Sequence, residues 1–537
     1  MMVVFAATAL IGLLSAPVSK GQATNIYLAQ SATGAANGAD CADAYAYGFF
    51  NNSANWGSGA GQIGPGTTMH LCGTITGTVG QTGLTFQGSG ASGNPVTLLF
   101  ESGANLTSPV WGTAITINGK SHIVINGGTN GIIQNTANGT GLTYEQGSTG
   151  ISLTGTDSDV TIQNLEIASL CKFNLTDTKG CSSTGINVFG TGASNIAITH
   201  CKIHDTNIGM FYGMNPGDTN LIYSYNTSYA VANTMQQFGG NGGGTTSGFS
   251  LIGNDMYCQI NATCNWAAGG THAEIVHFLV GNGVTYNGTL IANNYFHDMG
   301  TVAISDYLNL EVAAGATAAT YTNFKIYNNV FAVTMANPAI GLNNNNCCWT
   351  NFIVTNNTIV GPGPANGVAL TGISSPITLE NNIISSFNDT LHFNGSYSTS
   401  AVDYNDYLNW GSFGGWGSPA CASGCFTFSA WQTKSTDECS GGCDMHGMAA
   451  NPNLNPSFVP SGGSPVLGKG ANLSSLGIAG LNQGAPQFFG VNYACGTGCG
   501  PRPGTGGGAW DIGAYQVTGL STSLPGAPPG LAVNSVQ

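Results

Sequence analysis

Charged residues are scarce in this chain. Only 6% of its 537 residues are charged, with 9 basic against 23 acidic side chains and a formal net charge of −14. Phosphate binding needs clustered lysine and arginine, so this balance excludes nucleic acid as a partner. It also disfavours a strongly polyanionic glycan, because like charges repel. The charge balance therefore favours a neutral or weakly charged polymer.

Long apolar runs are equally rare. The only one, residues 3–16, is short for a membrane span and is followed by small residues at 21–23. We therefore predict a signal peptide over residues 1–23 and a secreted or cell-surface location. No basic residue precedes the apolar run, which leaves a membrane anchor as the alternative. No later segment is apolar enough to be a transmembrane segment.

The abundant feature is a repeated sequence motif, a short predicted strand that ends at asparagine. It begins at Val160, Phe324, Phe352 and Ile377. Apolar residues alternate with others at period two, so one row of side chains faces inward and one outward. We place the bend of each repeat directly after the strand, at Asn164, His200, Tyr225, Asn254, Asn293, Asn328, Asn356 and Asn381.

The spacing of these bends predicts a solenoid. It runs from 25 residues between His200 and Tyr225 to 39 residues between Asn254 and Asn293, which is one coil plus variable loops. Stacked asparagines can join their amides from coil to coil at the strand spacing of about 4.8 Å. Disorder is excluded because the 42% of hydrophobic residues recur in strand phase.

The pattern divides the chain into five segments. After the signal peptide, residues 24–110 are predicted to form an N-terminal cap and the first coils, and residues 111–410 the regular coils. A Cys- and Trp-rich excursion and a closing segment cover 411–516. A flexible Pro- and Gly-rich tail covers 517–537.

Fifteen cysteines in an exported chain indicate disulfides. Cysteines that are close in sequence are predicted to form disulfides with each other. Cys41 and Cys72 are predicted to form a disulfide that ties the N-terminal region. Cys201 is then left unpaired and is predicted to be buried. The predicted staples are Cys171 with Cys181, Cys258 with Cys264, Cys347 with Cys348, Cys421 with Cys425, Cys439 with Cys443 and Cys495 with Cys499. The four cysteines from 421 to 443 also have a spacing that a zinc site tolerates, but export favours disulfides there.

The asparagine-ended coils resemble the right-handed parallel β-helix repeats of the pectate-lyase-like superfamily. The closing segment, with its motifs at Asn451, Gly463 and Trp510, resembles the C-terminal region of exported bacterial proteins of the choice-of-anchor Q type. The resemblance implies an all-β fold: a right-handed parallel β-helix (solenoid) with an N-terminal cap, loop excursions and an irregular C-terminal closing segment. It implies no single activity, because the superfamily includes lyases, hydrolases, epimerases, esterases and non-catalytic proteins.

Motifs of known activities within that superfamily are missing. The polygalacturonase-like Asn-Thr-Asp, Asp-Asp, Gly-His-Gly and Arg-Ile-Lys are absent, as is the epimerase-like Asp-Pro-His-Asp. A pectate-lyase-like mechanism needs a basic residue beside calcium-binding aspartates, yet the only arginine, Arg502, lies in the closing segment. The base of a lyase would therefore be Lys172 or Lys202, with His200 nearby. The alternative is that these lysines are solvated loop residues.

The densest group of titratable residues surrounds Glu274 and His277. Asp306 lies on the strand predicted to stack against theirs, so Glu274 and Asp306 are our candidate acid and base, and His277 the positioning residue. The predicted substrate-binding residues are His272, Tyr307 and Trp266. A metal site is the lesser alternative, because histidines five apart on a strand do not match a helical i, i+4 site. A purely structural role is the other alternative.

Two His-Asp pairs, at His204-Asp205 and His297-Asp298, occupy the same place in their coils. Three coils separate them, which is about 14 Å at the strand spacing. They cannot share one reacting atom. We predict a repeated turn-capping role, because aspartate after a strand bonds local backbone amides.

Together these observations predict an exported carbohydrate-active β-helix protein that hydrolyses or otherwise processes an extracellular polysaccharide along an outer groove. The alternatives are a non-catalytic, adhesin-like glycan-binding protein and a polysaccharide lyase with a lysine base. No cofactor is required, and calcium is possible but not indicated by the residues. The chain is predicted to be a monomer.

Overall fold

The computed structural model is a solenoid with three parallel sheet faces, called the first, second and third sheets; two long strands join the second and third into one hydrogen-bonded sheet. It describes residues 24–518 except 174–180, 241–242, 259–273, 300–305, 314–315, 317, 335–337, 344–348, 362–365, 374–376, 388, 396–400, 409–426, 434–438, 440–441, 485, 487 and 489–497. The predicted signal peptide, Trp266, His272 and nearly all of the predicted tail lie outside the described residues.

The first sheet begins each coil, and its strands pair in parallel with those of neighbouring coils. In spatial order its strands are Tyr45–Ala46, Asn25–Ala29, Thr68–Leu71, Val96–Phe100, Ser121–Asn126, Ser158–Gln163, Ser194–Thr199, Thr219–Ser224, Gly244–Ser247 with Ser250–Ile252, Val284–Asn287 with Leu290–Ala292, Thr320–Tyr327, Trp349–Thr355, Ile377–Glu380 and Ala401–Asp403.

The second sheet follows the first corner of each coil. Its strands are Thr74–Thr76, Asn105–Ser108, Ile132–Asn135, Glu166–Ala168, the start of Lys202–Tyr212, the start of Thr227–Gly240, Asp255–Tyr257, Tyr295–His297, Val330–Ala332, Thr358–Val360, Ile383–Ser385 and Asp406–Leu408. The parallel β-helix fold predicted from the repeats is confirmed.

The third sheet completes each coil, and two long strands run through both it and the second sheet. Its strands are Thr82–Thr85, Thr113–Asn118, Ser148–Thr154, Ser183–Phe189, the ends of Lys202–Tyr212 and Thr227–Gly240, Val276–Val280, Leu308–Val312, Ile340–Asn343, Asn366–Ile373 and Asp389–Gly395. The described helices are Gly48–Asn51, Phe428–Thr433 and the 3-10 turns Cys41–Asp43, Ser53–Asn55 and Leu473–Leu476. None of the described helices is long and apolar enough to cross a membrane.

Left-handed backbone makes the corner between the first and second sheets. It occurs, with φ between 53° and 60°, at Asn164, His200, Tyr225, Asn293, Asn328, Asn356 and Asn381. Asparagine tolerates this conformation better than most other residues with a Cβ atom. In the coil between Tyr225 and Asn293 the bend residue is Gly253, with φ of 67°. The prediction that Asn254 makes this bend is therefore wrong by one residue.

The residue after each bend forms the predicted amide ladder. From Asn254 onward, each side-chain oxygen accepts hydrogen bonds of 2.9–3.2 Å from the backbone N–H and the side-chain amide of the asparagine one coil earlier. The ladder is confirmed, but the second asparagine of each pair forms it rather than the bend residue. Its members are Asn226, Asn254, Asn294, Asn329, Asn357, Asn382 and Asn405.

Asp444 ends the ladder. One carboxylate oxygen accepts from the backbone N–H and the amide of Asn405, and the other accepts from the Tyr407 hydroxyl at 2.7 Å and the Trp431 indole at 2.9 Å. The carboxyl is fully buried. Burial raises the pKa of Asp444 to about 6, although these four donors oppose the shift.

The closing segment packs back along the outside of earlier coils. Leu481 and Trp510 join an apolar cluster with Tyr327 and Ile353. The buried Arg502 guanidinium donates to the Asn328 side chain and to backbone carbonyls of the closing segment, three of these bonds being 2.8 Å long. The C-terminal region is thus fastened across several coils rather than stacked on the last one.

Three predicted disulfides are confirmed: Cys41 with Cys72, Cys171 with Cys181 and Cys439 with Cys443. Cys201 is a buried free thiol, as predicted. Because Cys439 and Cys443 are joined to each other, they are not zinc ligands. The partners predicted for Cys258 and Cys499 lie outside the described residues, as do both members of the Cys347–Cys348 and Cys421–Cys425 pairs.

Candidate functional site

An exposed aromatic pair stands on the outer face of the third sheet. The rings of Phe189 and Phe211 stack with centroids 6.1 Å apart and planes at 29°, and Phe189 is 53% exposed. Their strand neighbours Val188 and Met210 face the core. Two phenylalanines outside the core cost hydrophobic free energy, so this exposed pair is a candidate contact surface.

Strand register connects this pair to the predicted catalytic residues. Phe211 pairs with Gln237, Gln237 with His277, and His277 with Asn309 in the successive coils. In the next outward column Leu279 pairs with Glu311. We call the outward residues Phe189, Phe211, Gln237, Leu279 and Glu311 the third-sheet strip; all are exposed or half-exposed.

The strip ends at an acidic cluster formed by Glu274, His277, Asp306, Asn309 and Glu311. Nε2 of His277 lies 3.1 Å from the Glu311 carboxylate, and Nδ1 lies 3.8 Å from that of Glu274. The Asn309 amide donates to Glu274 at 3.1 Å. Asp306 interacts electrostatically with Glu274 and Glu311, so it lies near Glu274 and His277. The strand that pairs with Val276–Val280 is, however, Leu308–Val312, and Asp306 precedes it instead of lying on it.

Burial sets the electrostatics of this cluster. Burial, followed by the charges of Glu274 and Glu311, raises the pKa of Asp306 well above its usual range. Glu274 is 1% and Asp306 4% exposed, whereas the Glu311 side chain is 27% exposed. Solvent therefore does not reach the predicted acid and base, Glu274 and Asp306. Glu311 is the carboxylate of the cluster that faces solvent. Sequence reasoning missed Glu311.

Tyr307 does not provide the predicted stacking surface. Its ring is buried in the core, and its hydroxyl accepts a 2.7 Å hydrogen bond from the Thr334 backbone N–H. The remaining predicted substrate-binding residues, His272 and Trp266, lie outside the described residues.

The two His-Asp pairs belong to a stack of rings on the second sheet. His204, Tyr229, Tyr257 and His297 occupy one column, with neighbouring centroids 4.5, 5.2 and 4.9 Å apart. We call these four residues the ring row. The predicted separation of three coils is confirmed. Because the rings cover one another's faces, the row offers no open ring face on which a sugar could stack.

Each histidine of the ring row is held by two carboxylates. His204 bonds Asp205 at 2.7 Å and Glu166 at 2.9 Å, and His297 bonds its Asp298 and Asp255 partners, both at 2.7 Å. The aspartates thus bind imidazole nitrogens, so the predicted turn-capping role is wrong. Burial alone would lower the pKa of His297, but its two carboxylate partners raise it.

The residues of the alternative lyase site have separate partners. Lys202 lies 3.5 Å from the Glu166 carboxylate and 5.5 Å from the centre of the Tyr229 ring. Burial alone would lower the pKa of Lys202, but Tyr229 and Glu166 raise it, so it is protonated at neutral pH and unsuited to act as a base. His200 stacks on Tyr225 at 5.4 Å, and Lys172 bridges to the backbone of residue 139.

Within the described part of the chain, no three His, Cys, Asp or Glu side chains converge as metal ligands. No protein-family model matches the chain, and no curated protein matches it.

Two solved structures show a distant likeness. One is the crystal structure of pectate lyase Pel9A, with 15% identity, a TM-score of 0.41 and coverage of 94% of this chain and 100% of that chain. The other is GH136 lacto-N-biosidase from Eubacterium ramulus, with 11% identity, a TM-score of 0.40 and coverage of 71% and 67%. Both TM-scores lie below 0.5, so the fold rests on the strand pairing described above.

Proposed function

We propose that the protein binds an extracellular, neutral or weakly charged polysaccharide along the third-sheet strip and hydrolyses it at the acidic cluster. The observation that carries this proposal is the exposed Phe189–Phe211 pair in register with His277 and its partner Glu311. Exposed aromatic rings offer apolar faces on which sugar rings pack. The strip crosses strands spaced by about 4.8 Å, so an extended chain lies across several coils.

Hydrolysis of a glycosidic bond requires one protonated carboxyl and one ionised carboxylate. The raised pKa of Asp306 favours its protonated form, which suits a general acid. Glu311 is the solvent-facing carboxylate and acts as base or nucleophile. His277 lies between Glu311 and Glu274 and positions them. Glu274 thus supports the site in this proposal instead of reacting directly.

One observation favours the non-catalytic alternative. Glu274 and Asp306 are closed to solvent, whereas the third-sheet strip is open, and binding needs the strip alone. The lysine-dependent lyase has less support, because Lys202 is protonated and paired with Glu166. Product analysis separates all three functions.

A panel of neutral and acidic polysaccharides tests the proposal. We expect new reducing ends without unsaturated products, and loss of that activity in Glu311→Gln and Asp306→Asn. Unsaturated products would establish the lyase, and binding without any product would establish the non-catalytic alternative. The carbohydrate function would be overturned if no polysaccharide of the panel is bound and no product is formed.

The aromatic pair is tested separately by affinity. Phe189→Ala and Phe211→Ala should each weaken polysaccharide binding by at least tenfold, because each removes one face of the pair. Leu476→Ala is the matched control, since Leu476 is also an exposed apolar side chain but lies in the closing segment. If the three variants bind the polysaccharide with equal affinity, the binding surface lies elsewhere.

The three described disulfides fit an oxidising compartment and therefore support export. Four expectations stay predictions: cleavage of the signal peptide, a monomeric state, the absence of a required cofactor and the likeness to choice-of-anchor Q proteins. Sequencing the N-terminus of the secreted protein tests the first of them.

A further inference from the structure

A cleft lies between the C-terminal end of the coil stack and the closing segment. Its volume is about 510 Å³, which is in the range of small-molecule sites. Tyr404, His446 and Met448 line one side, and Lys469, Ala471 and Ala509 line the side made by the closing segment. None of these residues belongs to the third-sheet strip or the acidic cluster.

His446 is held firmly at the rim of this cleft. Its ring stacks on Tyr404, with centroids 4.7 Å apart and planes at 11°. Asp403 accepts hydrogen bonds from Nδ1 of His446 at 2.7 Å and from the backbone N–H groups of Tyr404 and His446 at 2.8 Å. Even so, the side chain of His446 is 62% exposed. A fixed yet exposed ring is suited to contact a ligand.

The polar groups of the cleft are complementary to hydroxyls. Nδ1 of His446 is occupied by Asp403, so Nε2 is the ring nitrogen left to contact a ligand. The ammonium of Lys469 is exposed and can only donate. A hydroxyl both donates and accepts, so neighbouring hydroxyls can satisfy both groups. The Asp403 carboxylate lies directly behind the His446 ring, which disfavours an anionic ligand.

The apolar part of the lining fits the same ligand class. Met448, Ala471 and Ala509 contribute hydrocarbon surface, and the Tyr404–His446 stack contributes a flat wall. A sugar ring combines apolar C–H faces with a rim of hydroxyls. We propose that the cleft binds a single neutral sugar residue, as a chain end or within a short oligosaccharide. The choice of a sugar as the ligand rests on the carbohydrate function proposed above.

Calorimetric titration of the full-length protein with neutral monosaccharides and disaccharides tests this site. At least one sugar should bind, and His446→Ala and Lys469→Ala should each weaken its binding by tenfold or more. Lys120→Ala is the matched lysine control, since Lys120 follows the strand Thr113–Asn118 near the other end of the stack, and it should bind as the native protein does. Absence of binding, or equal affinity in all variants, would overturn the proposal.

A second measurement detects sugar binding in the native protein itself. Addition of the sugar to the native protein should shift the imidazole proton resonances of His446, identified by their loss in His446→Gln. Sugar binding that leaves these resonances in place would also overturn the proposal. The polysaccharide function fails on different evidence, namely the absence of both polymer binding and product across the polysaccharide panel, so the two failures are distinguishable.

Discussion

Replacing Asn329 by alanine tests whether the amide ladder joins the coils. The Asn329 oxygen accepts from the backbone N–H and the amide of Asn294 at 2.9 and 3.0 Å. Its amide donates to the carbonyls of Ile291 and Tyr327 and to the oxygen of Asn357 at 2.9–3.1 Å. Alanine removes all five bonds and leaves the buried backbone N–H of Asn294 without its acceptor, whereas the Asn294 amide keeps the Leu251 carbonyl. At about 0.5–1.5 kcal/mol for each bond, we expect a loss of about 2.5–7.5 kcal/mol in the free energy of unfolding.

Asn287→Ala is the matched control. Asn287 is half-exposed, and its side chain accepts one hydrogen bond, from Asn323 at 2.7 Å. Its loss should cost less than about 1 kcal/mol. Urea unfolding followed by circular dichroism measures both variants, and hydrogen exchange reports whether the coils next to residue 329 open first. If Asn329→Ala costs no more than Asn287→Ala, the ladder does not hold the coils together.

Three further predictions concern buried groups. Burial raises the pKa of four carboxyls to about 6 or 7, above their unfolded values, so the folded protein holds extra protons and should gain stability as pH falls from about 8 to about 5; a falling thermal midpoint would contradict this. These carboxyls are Asp157 and Asp444, with a pKa of about 6, and Glu380 and Asp406, with a pKa of about 7. Burial raises the pKa of the Cys201 thiol to about 12, so a thiol reagent should modify it only on unfolding; rapid labelling of the native protein would refute this. Tyr257→Ala removes two stacked contacts of the ring row and should lower the free energy of unfolding by about 1–3 kcal/mol in urea titrations, and unchanged stability would show that the stack is not stabilising.

The fold could be predicted because the strand period determines the direction of each side chain. The stacking of Asp306 near Glu274 followed from the same logic. The ring row was not predicted, although each of its members lies four residues after a bend. These bends are at His200, Tyr225, Gly253 and Asn293. Taking Asn254 as the bend shifts that count by one residue and conceals Tyr257. The distinction between Gly253 and Asn254 depends on which residue adopts left-handed φ, and both types can do so.

The third-sheet strip was harder to predict for a different reason. Phe211 and Gln237 lie on strands that pass through two sheets, and their pairing shifts register between Thr206 and Ile208. An extra residue at such a bulge reverses which side chains face outward. The burial of Glu274 and Asp306 could not be predicted either, because strand phase gives the direction of a side chain but not what packs over it.

The closing segment has a consequence for how the chain unfolds. The bond from Arg502 to Asn328 spans 174 residues, and Ala514 donates to Thr358 across 156 residues. An ordinary repeat protein can fray one unit at a time from its end. Here the terminal coils cannot detach until this long-range clasp is released, so they should open as one cooperative block. The clasp can also form only after those coils exist, which makes it a late step in folding and leaves their apolar outer surface uncovered until the last part of the chain has been synthesised.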